Sequence, residues 1–197
     1  MHDSVPDNTR HGLLDFLSAS SALKDTLRSG RTAEGRAEST AEHSWRLALF
    51  VLCLEPELKD YDLVKLLKMA LLHDLGEAIT GDVPAIFQDT DSTARQMRER
   101  DGFIALISAL EPETRADFLS VVDEYNAGVT KEAAFMKGLD KLETMLQHVN
   151  GKNAPDFDYA FNLTYGTQWT AEHPLLAALR ALVDDKTRQC MADQASP

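Results

Sequence analysis

Between residues 62 and 75 the chain is apolar on nearly every side of a helix, with Leu63, Leu66, Leu67, Ala70, Leu71 and Leu72 leaving little polar surface. Such a helix belongs at the centre of a bundle, covered by others. The rest of the chain supplies the cover. Leu13, Leu14, Phe16 and Leu17 open an amphipathic segment that runs to about Leu23. Trp45, Leu47, Ala48, Phe50, Val51 and Leu54 mark a helix with Ser39 or Thr40 as its cap, Glu42 in its acidic first turn and Pro56 past its end. Further helices are expected over residues 93–110, over 113–125 behind Pro112, over 130–149 with Phe135, Met136, Leu139, Leu142 and Leu146, and over 174–183. Residues 28–40 lack apolar periodicity, contain two glycines and read as a loop. No segment alternates as a strand does, and no repeat is visible, so the expected fold class is all-α. The core elements are placed within residues 9–150, and 151–197 are read as a helical extension that packs on the core or on a partner subunit.

A chain of 197 residues makes about one domain. With 44% hydrophobic and 26% charged residues it is neither disordered nor collagenous. Its net charge of −12 repels polyanions and excludes nucleic-acid polymers and anionic membranes as partners. A small phosphorylated ligand stays open, because a few local arginines or a metal ion override the global field. Cys53 and Cys190 have no CxxC spacing, which excludes a zinc site built on thiolates. The polar start of the chain carries no signal-peptide core, and no run of about 18 apolar residues occurs. A cytoplasmic protein is expected.

Three places put metal-binding side chains where a buried helix would favour leucine. His43 lies in an otherwise apolar helix, His73-Asp74 interrupts the central apolar one, and Asp140 stands between Leu139 and Leu142. An ionised Asp in such surroundings is costly without a cation or hydrogen-bonding partner. Asp140 taken alone could cap a helix or pair with Lys137 or Lys141, and a lone His is more often a satisfied core residue. The ordered set is what carries weight, since the pair His2-Asp3 at the terminus shows that the dipeptide alone means little. Two imidazoles and two carboxylates suit one divalent ion, Mn²⁺, Fe²⁺, Co²⁺, Ni²⁺ or Zn²⁺, with Mg²⁺ also admitted. They leave about two octahedral positions open for water and a substrate oxygen.

The order His43, His73-Asp74, Asp140 resembles the metal signature of the HD-domain phosphohydrolases. The flanks Ser39-Thr40-Ala41-Glu42-His43-Ser44, His73-Asp74-Leu75-Gly76-Glu77-Ala78-Ile79-Thr80-Gly81-Asp82-Val83-Pro84 and Lys137-Gly138-Leu139-Asp140-Lys141-Leu142-Glu143 are similar to one branch, the bacterial 5′-deoxynucleotidases and their eukaryotic relatives. The resemblance covers about residues 12–150. It implies an HD-domain helical bundle around a single divalent metal, hydrolysis of (deoxy)nucleoside 5′-monophosphates, and a homodimer. By the same resemblance His43, His73, Asp74 and Asp140 match the metal ligands, and Glu77 and Asp82 match acidic residues that work on the water and the leaving group. Arg28 matches an arginine on the phosphate, and Arg36 corresponds to a basic position nearby. Relatives commonly carry a tryptophan near the first arginine. Here the loop reads Arg28-Ser29-Gly30-Arg31-Thr32 with no aromatic residue, which leaves base and sugar recognition open.

Charge arithmetic is consistent with these roles. Asp74 and Asp140 neutralise a divalent ion, and Glu77 and Asp82 then make the pocket negative. A phosphate dianion needs basic help, which the loop with Arg28, Arg31 and Arg36 can supply through paired hydrogen bonds. Glu77 follows Asp74 by three residues, one helical turn if the helix continues, so its carboxylate could reach a water at the metal. Asp82 could protonate the leaving 5′ oxygen if its pKa is raised. Two other readings compete. A cyclic-nucleotide phosphodiesterase of the two-metal type recruits extra histidines between the His-Asp pair and the last Asp, and this chain has none there. A non-catalytic helical regulatory module would keep the metal for structure and has no need of Glu77 and Asp82.

Overall fold

The computed structural model describes residues 7–84 and 92–195. The polar start of the chain, including His2-Asp3, lies outside them. In chain order the elements are α1 (Asp7–Ser20), β1 (Leu27–Arg31), β2 (Ala37–Ser39), α2 (Thr40–Cys53), α3 (Leu63–Leu72), α4 (Glu77–Thr80), α5 (Ser92–Leu106), α6 (Pro112–Ala127), α7 (Lys131–Asn150), α8 (Thr167–Thr170) and α9 (Pro174–Gln194). Helices dominate, as their periodicities require.

Local chemistry sets the helix starts. Ser39 caps α2 through a capping box: its hydroxyl accepts from the Glu42 amide, and Glu42 Oε2 accepts from the Ser39 amide at 2.9 Å. Asp62 caps α3 by accepting from the Lys65 amide, and Thr130 caps α7 by accepting from Ala133.

Two sequence expectations need correction. Residues 28–40 are not a plain loop: β1 and β2 pair antiparallel, with Leu27 opposite Ser39 and Arg31 opposite Ala37. The turn closes through Thr32 N–H to Arg36 O at 2.8 Å and Gly35 N–H to Thr32 O at 2.9 Å. Gly35 takes a φ of 86°, a conformation glycine adopts without penalty. The strands are short and polar, so no period-two apolar signal marks them. Their support comes from the C-terminal end of α7 and from Lys152 beyond it. Gln147 Nε2 donates to Arg31 O, and Lys152 N–H donates to Thr32 O. The second correction is α9, which continues past Val183 to Gln194. Its buried stripe passes through Val183 to the small polar Thr187, whose hydroxyl donates to Val183 O at 2.9 Å.

The apolar interior has two centres. One joins Leu47 and Val51 of α2, Leu66, Met69 and Ala70 of α3, Met136, Leu139 and Leu142 of α7, and Leu176 of α9. The other joins Phe16 of α1, Phe103 and Leu106 of α5, and Val122 of α6 with Leu72 and Leu75. The chain passes from one centre to the other at residues 70–75, so His73 and Asp74 stand at the seam.

The segment after residue 150 lies against α7 where Gly138 admits it. A methyl group at Gly138 would sit 2.6 Å from both the Leu176 Cδ1 and the Trp169 carbonyl oxygen. Gly138→Ala is therefore expected to destabilise the protein by about 1–3 kcal/mol, the range for overpacking. Thermal unfolding checks this, and an unchanged melting temperature would show that the contact relaxes freely.

Candidate metal centre and its cavity

Three helices bring the donor atoms together. His43 sits on the buried face of α2 with Thr40, Ser44, Leu47 and Val51. His73 is the C-terminal cap of α3. Asp140 and Glu143 lie on the buried face of α7. Ligand atoms of His43, His73 and Asp140 lie within 4.8 Å of one another. Asp74 borders them, its Oδ2 3.1 Å from His73 Nε2 and 3.7 Å from His43 Nε2.

The ring orientations are fixed from behind. His43 Nδ1 contacts Glu143 Oε2, and Glu143 Oε1 accepts from Arg46 Nε at 2.6 Å. His73 Nδ1 is 3.1 Å from Met69 O and 3.2 Å from Ala70 O, where it can only donate. Each Nδ1 therefore carries the proton, and each Nε2 presents its lone pair to the centre. Both Nε2 atoms are buried and make no hydrogen bond within the described residues. Asp140 is held in the same manner: Tyr125 Oη and Lys141 Nζ each donate to its Oδ2 at 2.9 Å. Its Oδ1 faces the histidines, 3.2 Å from His43 Nε2. Two orphaned imidazole nitrogens beside two carboxylates fit a divalent cation.

Glu143, behind His43, is a candidate functional residue that the sequence pattern alone does not single out. A second carboxylate three residues after Asp140, on the same apolar face, is the signal that could have found it. Glu143→Gln removes the charge behind His43 and is expected to weaken metal affinity by about 10–100-fold. Titration against a competing chelator measures this, and an unchanged affinity would assign Glu143 to packing alone.

A cavity of about 370 Å³ opens over the centre, lined by Arg28, His73, Asp74, Glu77, Asp82 and Asp140. His43 lies beneath its floor, fully buried. Arg28 of β1 donates from Nη1 to Asp74 Oδ2 and from Nη2 to Thr144 Oγ1, both at 3.2 Å. Burial pulls its pKa down, but Asp74, Asp82, Asp140 and Glu77 outweigh this and keep the guanidinium charged. The carboxyl group of Asp74 is pushed up by burial and held below its ordinary range by His73, Arg28 and His43. Glu77 opens α4 and accepts from Thr40 Oγ1 at 3.1 Å. Burial first, then the charges of Asp74 and Asp82, push its pKa up to about 10. Asp82 is raised by burial and Asp74 against the pull of Arg28.

Arg36 is not brought to this cavity. Its guanidinium pairs with both oxygens of Glu42 outside it, where the Arg36 side chain is 62% exposed. Arg31 does not line the cavity either. The turn of the hairpin parts Arg36 from Arg28, whereas Arg31 lies three residues further along the same strand β1. The basic groups that sequence reasoning did not place here are Lys137 and Lys141 of α7, together with Arg95 of α5. From the chain after α7 come Phe161, Tyr165, Gln168 and Trp169.

A family model described as an HD domain matches residues 20–180. The 5′-deoxynucleotidase HDDC2 of Dictyostelium discoideum is 32% identical over 150 residues, 72% of this chain and 78% of that relative. Its namesake from Danio rerio is 25% identical over 188 residues, 91% of this chain and 90% of the relative. A crystal structure described as a predicted metal-dependent phosphohydrolase from Magnetospirillum magnetotacticum MS-1 superposes with a TM-score of 0.77 at 25% identity, covering 97% of this chain and all of that one. The chain belongs to the HD-domain family and is a phosphohydrolase with a divalent-metal site. Within that family it falls in the branch of the 5′-deoxynucleotidases.

Proposed function

We propose that this protein is a metal-dependent phosphomonoesterase that hydrolyses (deoxy)nucleoside 5′-monophosphates to nucleoside and phosphate. One observation carries the reading: His73, whose unsatisfied Nε2 is paired with that of His43 beneath the floor, lines one cavity with Asp74, Glu77, Asp82 and Arg28. A purely structural metal has no use for two further carboxylates with raised pKa values and a buried arginine.

His43, His73, Asp74 and Asp140 would hold the ion, with Mn²⁺, Co²⁺, Fe²⁺, Ni²⁺ and Zn²⁺ favoured by mixed nitrogen and oxygen donors over Mg²⁺. When bound, a divalent ion supplies Lewis acidity and lowers the pKa of water within its reach. In its carboxylate form, which the charge of a bound ion would favour against the burial that raises its pKa, Glu77 orients the attacking water and accepts its proton as the new oxygen–phosphorus bond forms. Arg28 neutralises the charge that develops on the phosphoryl oxygens. Asp82 donates a proton to the 5′ oxygen as its bond to phosphorus breaks, leaving nucleoside and inorganic phosphate. A cytoplasmic homodimer completes the proposal, resting on the family resemblance and on the free cysteines Cys53 and Cys190. No helix among the described residues is long and apolar enough to cross a membrane.

The test is phosphate release from chelator-stripped protein with each metal restored in turn and Asp74→Ala as control. Release from 5′-monophosphates but not from 3′-monophosphates is expected. Cleavage of cyclic nucleotides instead would favour the phosphodiesterase reading. No release with any metal, from protein that binds one, would favour the regulatory module.

A further inference from the structure

The aromatic groups after α7 have no part in the chemistry above, yet they form one wall of its cavity. Phe161 belongs to the 3-10 turn Tyr159–Leu163, and Gln168 and Trp169 belong to α8. The wall is firmly built. Tyr165 lies against Phe161 with ring centroids 4.9 Å apart. Arg180, buried on α9, donates from Nη2 to Asn162 O and from Nη1 to Tyr165 O, both at 2.7 Å. The Trp169 backbone rests on Gly138 and its ring edge on Gly128. Phe161, Tyr165 and Trp169 all stay half-buried and line the cavity.

Two lysines tie this wall to the metal centre. Lys141 Nζ is 2.9 Å from Asp140 Oδ2 and 5.3 Å from the Tyr165 ring centroid. Lys137 Nζ is 4.3 Å from the Tyr125 ring centroid and 5.3 Å from that of Trp169. The Lys141 ammonium thus contacts both a metal-ligand candidate and the aromatic wall, which sets the wall beside the place where a phosphate would bind. The cavity volume of about 370 Å³ is within the range of small-ligand sites. Arg28 and Ser29 also line the cavity, and the stretch 28–36 to which they belong has no aromatic residue to offer a base.

We propose that Trp169 and Tyr165, with the exposed amide of Gln168, form a nucleobase subsite that the chain after α7 contributes to the active site. The inference rests on the nucleotidase reading and adds where the base goes. Stacking tolerates any base because each has a π face, so this subsite favours aromatic bases as a class over one base in particular. Gln168, at its rim, can donate to or accept from the base edge.

The experiment compares a deoxynucleoside 5′-monophosphate with 2-deoxyribose 5-phosphate, which has the sugar and phosphate but no base. Trp169→Ala is expected to raise KM for the nucleotide about tenfold, the loss of one base–aromatic stack, and to leave KM for the sugar phosphate within about twofold. Trp169→Phe should keep most of the nucleotide affinity. A second reading needs no turnover: in a Trp45→Phe background, free deoxynucleoside should quench the remaining fluorescence of Trp169. Equal changes on both substrates, or no quenching, would overturn the subsite while the nucleotidase reading stood. Failure of the wild type to release phosphate from the nucleotide with any metal would remove that reading and the subsite with it.

Discussion

Asp140→Ala should reduce phosphate release by at least about 10³-fold and eliminate stoichiometric metal binding, while the helical signal in circular dichroism persists. The geometry makes this the most damaging single change at the centre. Oδ1 of Asp140 is 3.2 Å from His43 Nε2 and 3.9 Å from His73 Nε2, so it completes the donor group both histidines face. Its Oδ2 is committed to Tyr125 and Lys141, which fix the carboxylate plane. Deletion removes a donor and leaves the Lys141 ammonium without its carboxylate partner, so unbalanced positive charge stands beside the ion's place. The fold survives because Leu139, Leu142 and Met136 keep α7 in place. Metal content, melting temperature and turnover together decide the matter; turnover near the wild-type value would remove Asp140 from the ligand set.

The second large effect is expected from Glu77→Gln. This variant retains the shape and the hydrogen bond from Thr40, but it cannot accept a proton from water. A loss in kcat of about 10²–10⁴-fold with metal stoichiometry unchanged is the outcome for a general base. Retained turnover with metal bound would limit Glu77 to a structural part. The same variant tests the electrostatics in chelated protein. Glu77 titrates near 4.5 when unfolded and at about 10 in the folded, metal-free state. The folded state therefore binds the extra proton, and the stability this confers is complete below pH 4.5 and is lost as pH rises through about 10. Glu77→Gln should flatten that fall in an unfolding series across pH, and an unaltered slope would assign it to other groups.

The helices were legible in the sequence because their apolar faces repeat over many residues, and the candidate donor set stood out because His43, His73-Asp74 and Asp140 break those faces. The structure brings His43, His73 and Asp140 together and places Asp74, Glu77, Asp82 and Arg28 around them. The hairpin was hidden because β1 and β2 are held by backbone and by Gln147, not by an apolar face. Arg36 could not be separated from Arg28 without the turn at Gly35, since a run of arginines does not say which one folds inward. The aromatic wall was hidden for a different reason. Its residues belong to short turns after residue 150, and their relation to Asp74 or Asp140 exists only once Gly138 lets that segment settle on α7.

The passage of the chain from one apolar centre to the other at residues 70–75 bears on how this enzyme tolerates change. His43 and Asp140 are anchored in elements of one packed body, while Leu72 and Leu75, on either side of His73-Asp74, belong to the other. The candidate donor atoms are therefore fastened to two apolar clusters, and a bound ion would be the rivet between them. Any slip of one against the other would be amplified as a misfit in the coordination shell. Oily residues such as Leu72 and Leu75 would thus share in setting how tightly a metal is gripped.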